Sequence, residues 1–209
     1  MAIEITWLGR TCFRLKGREG VVITDPYPPN GASLGKLAAD VVTLSRRDDP
    51  AYSYREAVSG EPFFLDAPGE YEVGGILVTG LATKGPDDTR NIVFIVELEG
   101  MRIAHLGLIT PDSARKLDEI KGIDILLLPV GGGGSLNGAM ASDVMTTIDP
   151  RLVIPMHYRT EEDAIETLDP LDRFLKETGS KPEPEPKISV SKAQLPAELT
   201  VRVLQPRFS

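Results

Sequence analysis

The sequence predicts an α/β protein, and three observations carry that prediction. Short runs of apolar and β-branched residues, each closed by a turn, recur along the whole 209-residue chain. Ile123–Leu128 is continuously apolar, the pattern of a strand buried on both faces. Thr110-Pro111-Asp112 and Asp169-Pro170 supply helix openings: a cap residue, proline at the first position and an acid in the first turn.

The elements follow in order. Ile3–Trp7 and Cys12–Leu15 alternate apolar with polar residues around a turn at Gly9, so they form a strand pair. Gly17–Gly20 is a turn, and Val21–Thr24 is a strand that delivers Asp25-Pro26 to its carboxyl end. Such ends are where binding residues gather on loops; a plain Asp-Pro turn explains the dipeptide equally well. Pro28–Gly35 is a loop, and Lys36–Asp40 leads into a buried strand, Val41–Leu44. Tyr54–Val58 forms one helical turn. Phe63–Leu65 and Ile76–Leu81 are strands separated by the glycine turns of Pro68–Gly75. Asn91–Leu98 and Met101–His105 form a hairpin across Glu99-Gly100. A helix from Thr110 to about Ile120 precedes Ile123–Leu128. A four-glycine loop, Gly131, Gly132, Gly133 and Gly134, then leads into a helix from Ser135 to about Ile148. Leu152–Pro155 is a strand, and a last helix runs from Asp169-Pro170 to Gly179. Lys181–Lys187, with prolines at alternate positions, is extended. Lys187–Ser191 and Leu199–Leu204 close the chain as strands.

Composition narrows the function classes. Hydrophobic content of 41%, charged content of 26% and a net charge of −8 suit a soluble globular protein. No basic stripe with interleaved aromatics is present, so nucleic acid is not expected as a partner. One cysteine, Cys12, excludes an internal disulfide framework and fits a reducing compartment. No signal peptide and no apolar run of about 18 residues is present, so no membrane association is expected and a cytoplasmic location is. The length suits one domain spanning residues 1–209.

Six motifs sharpen the prediction. They are Ile5-Thr6-Trp7-Leu8-Gly9 with Cys12-Phe13, Ile23-Thr24-Asp25-Pro26-Tyr27, and Ala67-Pro68-Gly69-Glu70-Tyr71-Glu72-Val73-Gly74-Gly75. His105-Leu106-Gly107, Leu128-Pro129-Val130-Gly131-Gly132 and Val153-Ile154-Pro155-Met156-His157-Tyr158 complete the set. In order and spacing the chain resembles the metallo-β-lactamase-fold hydrolases, in particular the small branch that includes the ascorbate phosphate lactonase-like proteins. The resemblance implies a four-layer αβ/βα sandwich, with two mixed β-sheets packed face to face and helices outside. It also implies hydrolysis at one or two zinc or manganese ions.

The ligands this resemblance requires are largely missing. After the strand ending at Ser45 it implies a His-x-His-x-Asp-His run. Here the chain reads Arg46, Arg47, Asp48, Asp49, Pro50, Ala51, Tyr52. In one register Arg46, Asp48, Pro50 and Ala51 occupy the ligand positions; in the register shifted by one, Arg47, Asp49, Ala51 and Tyr52 do. Neither supplies a histidine. Thr83-Lys84-Gly85-Pro86-Asp87-Asp88 lacks the histidine implied there, and Leu108 replaces the implied bridging aspartate. Arg10 stands where relatives often carry histidine. His157 matches an implied ligand, and His105 lies near the site without counting as one. A catalytic zinc takes about three protein ligands, so no metal cofactor is expected.

Arg10, Arg46 and Arg47 lie beside Asp25, Asp48 and Asp49, and an Arg–Asp network in place of the metal is the expectation. Three functions follow. The first is a non-catalytic binding, scaffold or regulatory protein, partnered with itself or with an active relative. The second is a hydrolase with an atypical site built from Asp25, Asp48, Asp49, Asp87, Asp88, His105 and His157; carboxylates favour manganese or magnesium. The third is an anion sensor using the arginines and the amides of Gly131–Gly134.

Overall fold

The structure, a computed structural model, describes residues 1–28, 37–117, 120–161, 163 and 165–207. The chain opens with β1 (Ala2–Gly9), β2 (Cys12–Lys16), β3 (Val21–Thr24), β4 (Leu37–Ala38) and β5 (Val41–Thr43). It continues through β6 (Val58–Ser59), β7 (Phe63–Leu65), β8 (Gly69–Val73), β9 (Ile76–Lys84), β10 (Arg90–Leu98) and β11 (Met101–His105). The second half alternates: α1 (Pro111–Ala114), β12 (Ile125–Pro129), α2 (Gly138–Ile148), β13 (Leu152–Met156) and α3 (Leu171–Thr178), then β14 (Ile188–Ser191) and β15 (Thr200–Val201).

Two mixed sheets result. The six-stranded one has the order β14-β1-β2-β3-β5-β7 and the seven-stranded one β15-β13-β12-β11-β10-β9-β8. Alternation along the strands sets their packing. Ile3, Ile5, Trp7, Phe13, Leu15, Val22 and Val41 face the second sheet and share one core with Val78, Phe94, Ile103 and Leu127. The opposite face of the first sheet presents Leu8, Cys12, Ile23, Val42 and Leu44, which pack with Tyr27 and Leu37 as a separate cluster.

The sandwich is the predicted one, with a difference in its outer layers. Among the described residues the α-helices all follow β11, and α2 packs on α3 and against β12. Over the outer face of the first sheet lie the small β4–β6 ribbon and a 3₁₀ turn at Arg55–Ala57. The predicted loop over residues 28–35 falls almost wholly outside the described residues. No helix among the described residues is long and apolar enough to cross a membrane.

The predicted helix ends differ in informative ways. Asn137, not Ser135, caps α2, its side chain accepting from the Met140 amide, while Ser135 donates its hydroxyl to the Ile109 carbonyl at 2.8 Å. The helix begun at Pro111 ends at Ala114; beyond it the Lys116 and Ile120 amides bond to carbonyls three residues back. Among the described residues of that stretch, Ala114, Leu117 and Ile120 are buried. A spacing of three suits 3₁₀ turns better than an α-helix.

Strands β3, β5 and β7 are mutually parallel, as are β11, β12, β13 and β15. Most of the residues singled out by sequence lie at the carboxyl ends of β1, β3, β5, β11, β12 and β13 or in the loops that follow them, so the site sits at that edge of the strands.

Candidate functional site: the buried Tyr52–His157 contact

His157 follows directly from β13. Its backbone takes a left-handed φ of 51°, its amide donates to the Arg10 carbonyl at 3.0 Å, and its own carbonyl accepts from the Gly131 amide at 3.0 Å. The imidazole is buried, 3% exposed, and its Nε2 lies 3.0 Å from the Tyr52 hydroxyl. Tyr52 reaches it from the loop after β5. That loop folds back through two tight turns, Asp49 amide to Arg46 carbonyl and Tyr52 amide to Asp49 carbonyl. Burial pushes the Tyr52 phenol up to about 12, so it stays protonated and neutral.

Burial, then the charge of Arg10, lowers His157 to about 4. The linkage has a definite sign. Between about pH 4 and 6.5 the unfolded chain binds a proton at this position that the folded chain refuses, so stability rises with pH across that window. The contribution is complete above about pH 6.5 and fades as pH falls towards 4, amounting to about 3 kcal/mol. Asp25 acts oppositely, because burial raises its carboxyl and the folded state therefore binds a proton more readily just above the ordinary carboxylate range. Urea unfolding from pH 4 to 7 should show a net rise, and His157→Asn, asparagine tolerating left-handed backbone, should flatten it. An unchanged slope in that variant would place the titration elsewhere.

Arg46 holds Tyr52 from above. Its Nε and Nη2 donate to Asp49 Oδ2 at 3.2 and 3.0 Å, its Nη1 donates to Thr89 Oγ1 at 2.9 Å, and its guanidinium lies 5.7 Å from the Tyr52 ring centroid. Arg10 flanks the other side. Its Nε donates to Asp163 Oδ2 at 2.7 Å, and its guanidinium stacks 4.7 Å from the Tyr27 ring centroid. Asp163 holds the Arg10 guanidinium above its ordinary pKa despite burial.

The expected Arg–Asp network therefore forms in part and with different partners. Arg46–Asp49 is present. Arg10 pairs with Asp163, a residue no local pattern singles out, and not with Asp25. Arg47 and Asp48 meet each other at 3.5 Å on the surface, 40% and 78% exposed, and so face solvent rather than His157. In the turn from Arg46 to Asp49 the end residues face inward and the middle pair faces solvent. Asp25, fully buried at φ 40°, accepts from the Ser45 amide at 2.7 Å and the Ser45 hydroxyl at 2.6 Å. His105 Nε2 lies 3.9 Å from it and donates to the Thr11 carbonyl at 2.8 Å. Asp25 and His105 thus tie the loops after β1, β3 and β5 together beneath the pocket. Leu108 is buried, and its amide donates at 2.9 Å to Asn91 Oδ1. Asn91 also donates to the Leu106 carbonyl and to Thr83 Oγ1, a clamp the sequence reading missed.

The donors expected at these positions are few and already hydrogen-bonded. His157 Nε2 is engaged by Tyr52, Asp25 by Ser45, and Asp49 by Arg46. Asp48, Asp87 and Asp88 are exposed, Asp88 pairing with Lys84 at 2.5 Å. Among the described residues no group of three or more His, Cys, Asp or Glu side chains is placed to hold a cation. The dispersed carboxylates of the atypical-site expectation do not converge.

The glycine loop commits part of its backbone to packing. The Gly131 and Gly132 amides donate to the His157 and Leu136 carbonyls, so two of the four amides proposed for an anion are already used. Gly132, Gly133 and Gly134 all have positive φ, and a side chain on Gly134 would strike Pro86.

Two facing mixed sheets, with loops gathered at their carboxyl edge around the buried Tyr52–His157 contact, define a metallo-β-lactamase-type scaffold. Residues 4–157 match the family described as "Beta-lactamase superfamily domain", and the chain belongs to the metallo-β-lactamase superfamily. A UPF0173 metal-dependent hydrolase of Methanoregula boonei is 30% identical over 189 residues, covering 77% of this chain and 84% of that protein. A UPF0173 protein of Pyrococcus furiosus is 29% identical over 184 residues, covering 78% and 86%. The crystal structure of a candidate zinc-dependent hydrolase of the superfamily from Thermotoga maritima has a TM-score of 0.79 at 33% identity, covering 97% of this chain and 98% of that one. A metallo hydrolase of Ignicoccus hospitalis, at 17% identity and TM-score 0.69 over 99% of this chain and 96% of that one, shares the fold.

Proposed function

We propose that this protein is a metallo-β-lactamase-superfamily member that works without a resident metal and without hydrolysis at this pocket, in a binding or regulatory role with a second copy or an active relative as partner. One observation carries the reading: the Tyr52 hydroxyl holds His157 Nε2 at 3.0 Å, with the Arg46 cation over the ring. A hydrolytic metal works by lowering the pKa of its bound water to about 7, and that requires several free donors together. Here the imidazole has a phenol for a partner and two guanidinium groups for neighbours.

A second reading follows from the relatives, which are named metal-dependent hydrolases at 30–33% identity. Metal analysis separates the two. Protein purified without added metal should carry far less than one zinc, manganese or iron per chain, and a chelator should leave its melting temperature unchanged. A ligand bound only by the native state raises that temperature, so stoichiometric metal together with a chelator-induced drop would establish the second reading.

A further inference from the structure

We propose that residues 46–54 form a strap over His157 and that Arg46 is its latch, a built-in cation joining loops from both sheets. This rests on reading the pocket as one without a resident metal. Both ends of the strap are fastened to the loop after β3. Ser45 bonds to Asp25 through its amide and hydroxyl, and the Tyr54 amide donates to the Pro26 carbonyl at 2.8 Å. Between those fastenings Tyr52 points inward and meets His157, just past the end of β13 in the second sheet.

The latch is built for a guanidinium. Arg46 forks onto Asp49 within the strap, and its remaining arm crosses to Thr89, in the loop that joins β9 to β10. Thr89 is itself fixed, its hydroxyl donating to the Pro86 carbonyl at 2.6 Å. Gly85 supplies the room: a β-carbon there would stand 2.6 Å from Arg46 Nη1 and 3.2 Å from the Leu108 carbonyl oxygen. The bare backbone at Gly85 and the length of Arg46 are therefore complementary. A planar fork can satisfy Asp49 and Thr89 at once while covering an aromatic ring, and a lysine ammonium cannot reproduce that geometry. The latch is the contact that keeps the strap down and Tyr52 seated.

Hydrogen exchange on the full chain tests the latch. Arg46→Ala should raise exchange roughly tenfold, and together, in residues 46–54, in 85–89 and around 157, because local opening would release them as one unit. Arg46→Lys should do the same more weakly. Arg47→Ala, on the same loop but in the surface pair, should change none of them. Gly85→Ala should mimic Arg46→Ala by expelling the guanidinium. Should Arg46→Ala fail to fold, Thr89→Val removes one acceptor and offers the same comparison. Faster exchange confined to residues 46–49, or an equal effect from Arg47→Ala, would overturn the latch alone. Stoichiometric zinc or manganese that slows exchange in the same three segments of the wild-type protein would overturn both the latch and the metal-free reading beneath it.

Discussion

Tyr52→Ala should destabilise the protein by about 3–5 kcal/mol, the range for deleting a well-packed aromatic side chain. Tyr52 is 9% exposed and fills the volume between His157 and Arg46, so truncation leaves a cavity lined by polar groups. Tyr52→Phe separates the two contributions. It keeps the ring and deletes the hydroxyl, leaving His157 Nε2 buried without its partner, which should cost about 1–3 kcal/mol. Urea unfolding at pH 7 measures both, and for a chain of this length each kcal/mol lowers the melting temperature by roughly 2–4 °C. A Tyr52→Phe protein as stable as the wild type would show that the phenol does nothing for the imidazole, and the closed-pocket reading would lose its central contact.

The fold was legible because its signals are local. β-branched runs, a glycine-turned hairpin and the continuous Ile125–Pro129 strand are written in neighbouring residues, and six motifs in register fixed their assembly. The helix after Thr110 was overextended because its start obeys capping rules while its end depends on tertiary burial. Ala114, Leu117 and Ile120 meet the core at intervals of three, a spacing that suits turns tighter than those of an α-helix.

The site was legible in its residues and poorly legible in its pairings. Arg46 with Asp49 lies within one turn, and the sequence places them together. Arg10 with Asp163 spans 153 positions, and no local pattern announces it. Tyr52 carried a usable signal: in the shifted register it stands where the last ligand histidine is expected, and a phenol suits an imidazole partner. Asn91 gave no such signal. It occupies an ordinary strand position, and only the fold brings it under Leu106 and Leu108.

Gly131→Ala should be more damaging than any surface change, by more than about 4 kcal/mol, a loss that marks a specific steric or cavity mechanism. Gly131 lies just past the end of β12, whose parallel register with β13 pairs Pro129 with Met156. The chains stay close beyond it, with the Val130 amide on the Met156 carbonyl at 3.1 Å and the Gly131 amide on the His157 carbonyl at 3.0 Å. A β-carbon at Gly131 would stand 2.2 Å from the His157 carbonyl oxygen and 2.8 Å from Tyr158 Cα. Those are backbone atoms, so no rotamer change relieves the clash, and the loop bearing His157 must move. Gly131 itself is not among the residues with positive φ, so strain at its own dihedral is not the cause. Gly74→Ala is the contrasting variant: its β-carbon meets nothing within 4 Å, and only its left-handed backbone, worth about 1–2 kcal/mol, opposes the change. Because displacing His157 pulls it from Arg10 and Tyr52, surviving Gly131→Ala protein should also lose most of the stability rise between pH 4 and 6.5. Gly131→Ala no worse than Gly74→Ala, with that rise intact, would mean the loop after β13 is not pinned by the glycine, and that His157 owes its position to something other than the close approach of these two strand ends.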